Sequence, residues 1–194
     1  MSRRMQHTST RALTRALGEA MGPDEWRIVE RGDSPWRRAT LESVFAVGNG
    51  FLGLRGTPEE GFPAHDPGAI VNGFHETWPI VYPEAAFGLA RTGQTIVPCP
   101  DGSIIRLTAD GESFDLAGTP LVRHVRALDM RRGVLTREIE FRTRRGRRVV
   151  VRSTRLASLA DPHLAAMRYE VHAPDGAEIE LSSELLSHGP SGSR

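Results

Sequence analysis

The 194-residue sequence contains no lysine, and all 25 of its basic side chains are arginine. That absence excludes a lysine Schiff base and a phosphate-binding P-loop lysine, whatever the fold. Cysteine is nearly absent too. Cys99 stands alone, so no internal disulfide and no Cys-x-x-Cys metal or redox site can form, and a reducing compartment is expected. Long apolar runs are missing: the N-terminal stretch MSRRMQHTSTRALTRALGEAMG is basic but lacks the seven or more consecutive apolar residues of a signal peptide. Nowhere do about 18 apolar residues follow one another, which predicts a cytoplasmic chain with no membrane partner. The balance of 25 basic against 24 acidic residues, a net charge of +1, supplies no general field to draw nucleic acid.

What remains is the composition of a soluble globular protein, 39% apolar and 25% charged, long enough to bury about 70% of its unfolded surface. Leu13, Ala16, Leu17 and Ala20 fall at helical spacing, and Gly22-Pro23 is a stop signal, which predicts one short N-terminal helix within residues 1–24. From Glu25 onward the period becomes two. Short apolar runs such as Ile104–Leu107, Leu135–Phe141, Arg148–Arg152 and Ala165–Val171 are separated by turn pairs, among them Asp110-Gly111, Arg132-Gly133, Arg145-Gly146 and Asp175-Gly176. No crossover helices intervene. The pattern predicts an all-β protein, a large antiparallel β-sandwich over 25–186, followed by a small, polar, disordered tail over 187–194.

The stretch Ala46–Gly56, AVGNGFLGLRG, fits the dinucleotide fingerprint G-x-G-x-x-G at Gly48, Gly50 and Gly53. A fingerprint must open a helix, however, and here alternating residues lead to Thr57-Pro58. Gly48-Asn49-Gly50 therefore reads as a structural turn, Asn-Gly being the pair that best supplies the positive φ angles of a type I′ hairpin. The arginine cluster around Gly146 reads as a solvated hairpin tip, since no aromatic residues are interleaved for stacking on bases.

The run Glu42–Gly56 resembles the opening motif of glycoside hydrolase family 65, whose members are inverting disaccharide phosphorylases and related hydrolases. Asn72–Pro79 (NGFHETWP), Arg126–Arg137 (RALDMRRGVLTR) and Arg155–Leu159 (RLASL) are similar to later stretches of the same family's N-terminal domain, in the same order. The resemblance implies a β-super-sandwich that is not itself catalytic. The general-acid glutamate and the phosphate or water site are expected in an (α/α)6 barrel that this sequence lacks. For the complete enzyme it implies an α-linked disaccharide as substrate, and inorganic phosphate as co-substrate if the reaction is phosphorolysis, with no other cofactor and no metal. A homodimer or a separate barrel chain is the expected partner. A stand-alone carbohydrate-binding sandwich is the alternative.

The carboxylates agree with a non-catalytic reading. Glu138 and Glu140 alternate with Leu135, Arg137, Ile139 and Phe141, which places them on a solvated sheet face, while Glu59-Glu60 falls between Pro58 and Gly61 in a loop. His75-Glu76-Thr77-Trp78 holds the most suggestive local chemistry. Trp78 could stack on a pyranose while His75 and Glu76 bind its hydroxyls, or the segment could pack the core or another domain. Position 79 is proline, so His75-Glu76 opens no H-E-x-x-H zinc motif. His124, His163 and His172 are isolated along the chain and read as non-ligands.

Overall fold

The structure is a computed structural model, and it describes residues 25–33, 35–60, 68–84 and 86–186. The N-terminal helix and the tail expected from the sequence lie outside the described residues. The chain forms β1 (Arg27–Arg31), a 3-10 turn (Pro35–Arg37), α1 (Arg38–Val44), β2 (Val47–Gly48), β3 (Leu52–Leu54), β4 (Ala69–Pro79) and β5 (Thr92–Cys99). It continues as β6 (Asp101–Ala109), β7 (Glu112–Ser113), β8 (Leu121–Asp129), β9 (Val134–Arg142), β10 (Arg148–Ala157), β11 (Ala165–His172) and β12 (Ile179–Leu186). The strands make three antiparallel sheets, ordered β1-β8-β9-β10-β11, β12-β6-β7 and β2-β3-β4-β5. The all-β architecture read from the period of two is thus the observed one.

α1 is an addition to that reading. Its seven residues bury only Leu41 and Glu42, too few for a visible helical period. Val44 ends this helix and does not begin a strand.

The inner face of the five-stranded sheet carries two apolar clusters. At one end Ile139, Phe141, Val149 and Val151 pack against Leu107, Ala109, Phe114 and Leu116 from the β6-β7 side. At the other, Leu128 and Leu135 meet Leu41 of α1, Phe45 just after it and Val47 of β2. Between the clusters the registers align one polar row across all five strands. Glu30 lies opposite Arg126, Arg126 opposite Arg137, Arg137 opposite Ser153, and Ser153 opposite Tyr169. Arginines on an inward face must find carboxylates or carbonyls, because burying an unpaired charge is prohibitive. The segment Arg55–Glu60 supplies them.

The chain between Phe45 and Gly56 folds tightly. The Gly56 amide donates to the Glu42 carbonyl at 2.7 Å, and a methyl group on Gly56 would sit 2.6 Å from Phe45 Cβ and 2.9 Å from its carbonyl carbon. Phe45 is fully buried and cannot retreat. Gly56→Ala is expected to cost about 1–3 kcal/mol, as overpacking of a rigid core does, read as a lower urea midpoint with an unchanged slope.

The Asn49-Gly50 turn closes by a route different from the expected one. Gly50 adopts a positive φ of 88°, but Asn49 does not, so the turn is not type I′. The Asn49 amide donates to the Leu52 carbonyl at 3.1 Å, while the Asn49 side-chain oxygen accepts from the amides of Phe51 and Leu52 at 3.0 and 2.8 Å. Its side-chain nitrogen donates to the carbonyls of Ser158 and Pro162 at 2.6 and 3.0 Å. One side chain therefore shapes this turn and ties it to the β10-β11 connection. The chain resumes as β3, and no helix follows to present amides to a phosphate.

Candidate functional site

Among the described residues, the buried row and the β4-β5 hairpin hold the Glu59-Glu60 carboxylates and the aromatic segment singled out in the sequence. In the first, Arg137 donates to Glu59 at 2.6 Å and to both oxygens of Glu60 at 2.7 Å. Arg155 donates to the carbonyls of Arg55 and Thr57 at 2.7 and 3.0 Å and to Glu59 at 3.0 Å. Arg126 pairs with Glu30, donates to the Gly56 carbonyl at 3.0 Å and lies over the Phe45 ring. The Tyr169 hydroxyl donates to Glu60 at 2.8 Å.

Two adjacent buried carboxylates could by residue type form an acid-base couple. Their electrostatics argue the opposite. A general acid needs a raised pKa; burial would raise that of Glu59, but the guanidiniums of Arg137 and Arg155 reverse the effect and hold its carboxyl below the ordinary carboxylate range. Burial likewise pushes the Tyr169 hydroxyl up, and neighbouring Glu60 adds to it. The row is a structural clasp. Glu59-Glu60 does fall in a turn between strands, as expected from the sequence, but both side chains are buried against arginines 77 to 96 residues away. The sequence did carry a signal for this, since Arg137 falls on the same alternating face as Leu135, Ile139 and Phe141, and an arginine there demands a buried anion.

Glu138 requires a second correction. It does share the outer face with Glu140, but its side chain is only 6% exposed, held by Arg123 at 3.0 Å and Arg152 at 2.7 Å. Arg148 binds Glu140 through two hydrogen bonds of 2.8 and 2.9 Å, which keep its carboxyl below the usual range. Around the Gly146 turn, Arg144, Arg147 and Arg148 pair with Glu112, Asp110 and Glu140, so these guanidiniums are already engaged.

The hairpin carries His75, Glu76 and Trp78. β3 pairs with β4 only through Leu52–Leu54, opposite Ala69–Val71. Beyond that, β4 and β5 continue as a two-stranded arm in which His75–Pro79 pair with Thr92–Ile96. The register shifts between Ile70 and His75, where Gly73 adopts a φ of 94°. Because side chains alternate, Glu76 and Trp78 share one face and His75 lies on the other. All three cannot surround one sugar on a single face of the strand. Trp78 covers Gly93, its direct cross-strand neighbour, whose missing side chain makes room: a Cβ on Gly93 would fall within 2.4–2.7 Å of the indole. Phe74, Val81 and Phe87 are exposed on this arm and its tip.

An open cleft of about 560 Å³ lies between the ends of β1 and β8 and the β7-β8 connection, with Arg31, Asp33, Leu116, Thr119, Leu121 and His124 on its walls. Among the described residues no Phe, Tyr or Trp side chain lines it. His124 Nδ1 donates to the Gly32 carbonyl at 2.9 Å. Burial, reinforced by the nearby Arg137 charge, lowers its pKa to about 4. His163 stands edge-on to Phe51 on the surface. Among the described residues no three His, Cys, Asp or Glu side chains converge as a metal group, and no helix is long and apolar enough to cross a membrane.

The fold is thus an antiparallel β-sandwich whose inward carboxylates are neutralised by arginines. The chain belongs to glycosyl hydrolase family 65: residues 28–190 match that family's N-terminal domain. It is 39% identical over 171 residues to an uncharacterized glycosyl hydrolase of Mycobacterium tuberculosis, an alignment covering 88% of this chain and 22% of the relative. It is 37% identical over 150 residues to the alpha,alpha-trehalose phosphorylase of Thermoanaerobacter brockii, covering 75% of this chain and 19% of that enzyme. Against the kojibiose phosphorylase of Caldanaerobacter subterraneus subsp. tengcongensis the identity is 26% over 177 residues, covering 91% and 21%. A solved structure described as a "putative kojibiose phosphorylase from human microbiome" shares the fold with a TM-score of 0.69 at 23% identity, over 81% of this chain and 21% of that one. The chain thus spans about a fifth of the length of the relatives it matches.

Proposed function

We propose that residues 25–186 serve as the non-catalytic scaffold of an inverting α-glucoside phosphorylase or hydrolase, supporting an (α/α)6 barrel that does the chemistry. The substrate of the complete enzyme is an α-linked disaccharide, and inorganic phosphate is co-substrate if the bond is cleaved by phosphorolysis. Inverting cleavage needs one acid and a nucleophile from the opposite face. The inward carboxylates Glu59 and Glu60 are committed to arginines, which supports placing the acid elsewhere. A cytoplasmic location accords with the single cysteine.

The observation that carries the proposal is the β4-β5 arm. An isolated hairpin is marginal in water, and one that exposes Phe74, Val81 and Phe87 calls for a covering surface. The arm, with Glu76 and Trp78 on one face and His75 on the other, is the contact to the barrel. The test replaces the N-terminal domain of the T. brockii trehalose phosphorylase with this chain. The chain alone should release no glucose 1-phosphate from trehalose, kojibiose or maltose with phosphate, whereas the chimera should release it from trehalose, and Phe74→Asp should abolish that activity. Turnover by the chain alone, or a chimera indifferent to Phe74→Asp, would overturn the reading.

A further inference from the structure

The sequence holds two asparagines, Asn49 and Asn72, and each is followed by glycine. In such a pair the main-chain nitrogen after the asparagine is the least shielded, because glycine has no Cβ and the widest choice of φ and ψ. The two pairs are alike in sequence and different in setting. At Asn49 the side-chain amide is fully engaged: its oxygen accepts from the amides of Phe51 and Leu52, and its nitrogen donates to the carbonyls of Ser158 and Pro162, which uses both lone pairs and both hydrogens. Asn72 is exposed, and among the described residues its side chain makes one hydrogen bond, of 3.2 Å, to the Gly50 carbonyl. β3 pairs with β4 only as far as Val71, and the β4-β5 register breaks between Ile70 and His75. Asn72, Gly73 and Phe74 therefore have no partner residue in either ladder. Gly73 is exposed too, with open space where a Cβ would stand.

We infer that Asn72 is a site of spontaneous modification, where water converts the side-chain amide to a carboxylate through a cyclic imide, and that the fold shields Asn49 from the same reaction. The Gly73 nitrogen attacks Asn72 Cγ and the new bond closes a five-membered ring. The Cγ–Nδ2 bond breaks, and Nδ2 leaves as ammonia with the proton that the Gly73 amide gives up. Water then opens the ring at one of its two carbonyls. Opening at Cγ leaves aspartate, and opening at the main-chain carbon leaves isoaspartate, whose backbone is one carbon longer. Ring closure requires Cγ to swing onto the next nitrogen and the main chain to leave its resting shape. At Asn72 this releases one long hydrogen bond in a stretch without ladder partners, the kind of segment that opens at little cost. At Asn49 it releases four bonds, two of them to the β10-β11 connection, so the turn must first detach from the rest of the domain. The product changes the surface. A carboxylate at position 72 cannot donate to the Gly50 carbonyl, it cancels the formal net charge of +1, and an isoaspartate lengthens β4 where the arm begins.

Peptide mapping of the 194-residue chain after incubation in warm, mildly alkaline buffer tests it. Arg55 lies between the two pairs, so trypsin delivers them on separate peptides, and mass spectrometry reads the gain that replaces NH2 with OH. In the folded chain Asn72 should convert at least ten-fold faster than Asn49, to a mixture of isoaspartate and aspartate. In denaturing urea, where no fold distinguishes them, the two should convert at similar rates. Equal rates in the folded chain, faster conversion of Asn49, or an Asn72 that stays intact while the chain in urea reacts would overturn the inference. So would a preference for Asn72 that persists undiminished in urea, since the selectivity would then lie in the neighbouring sequence and not in the fold.

Discussion

Arg137→Met is expected to destabilise the domain by about 3–5 kcal/mol, the cost of breaking a buried ion pair by removing one partner. Methionine fills much of the space, so the loss comes from charge and not from a cavity. Arg137 is buried, and three of its hydrogen bonds end on Glu59 and Glu60. Without it, Arg155 still holds one oxygen of Glu59 and Tyr169 still donates to Glu60, but one positive charge no longer balances two buried carboxylates. For a chain of this length about 2–4 °C of melting temperature accompany each kcal/mol, so the midpoint should fall by roughly 10 °C. The triple change Arg137→Met, Glu59→Gln, Glu60→Gln should recover much of the loss, since it removes the stranded charges together with their partner. Urea titrations of the three proteins at pH 7 decide the matter. A fall below about 1 kcal/mol for the single variant would show that the row is wet and not a buried clasp.

Acid should weaken the fold in two stages. The first belongs to His124. Burial and the Arg137 charge hold its folded-state pKa near 4 against an ordinary 6.5. The unfolded chain therefore takes up a proton at pH 6.5 that the folded chain refuses until about pH 4. Below 6.5 the unfolded state binds more protons, so this contribution is fully present above 6.5 and is lost as the pH falls. At about 1.4 kcal/mol per pH unit, the loss amounts to roughly 3 kcal/mol by pH 4. The second stage belongs to Glu59, whose pKa lies below the ordinary 4.5; its contribution is present above that value and disappears as the pH drops beneath it. Urea midpoints between pH 8 and pH 3 should trace both limbs. His124→Gln should flatten the stretch between pH 6.5 and 4 whatever its effect at pH 7, and an unchanged slope there would remove His124 from the account.

The strands were legible because one face of each is buried, and a buried face imposes a period of two on the sequence. β9 is the clear case, with Leu135, Ile139 and Phe141 at every second or fourth position. α1 left no such trace, since a seven-residue helix that buries two side chains cannot establish a period. The turn at Asn49 was legible in place but not in kind, because its conformation depends on Ser158 and Pro162, more than a hundred residues away. Glu59 and Glu60 looked like loop residues for the same reason. The strands whose side chains hold them, β9, β10 and β11, begin 74 or more residues downstream, and only Arg137, an arginine in an apolar alternation, announced that something acidic had to meet it. The arm's residues could be picked out by type, but the separation of His75 from Glu76 and Trp78 became apparent only with the strand register.

Glu59 and Glu60 are separated from Arg137 by 78 and 77 residues, from Arg155 by 96 in the case of Glu59, and from Tyr169 by 109 in the case of Glu60. During synthesis these two acids leave the ribosome long before the bases that neutralise them, and they stay hydrated until β9, β10 and β11 have followed. The clasp is therefore a late event. Until Tyr169 has emerged, the first half of the chain has no means of sealing its interior, and a nascent chain arrested before that point should remain open to protease.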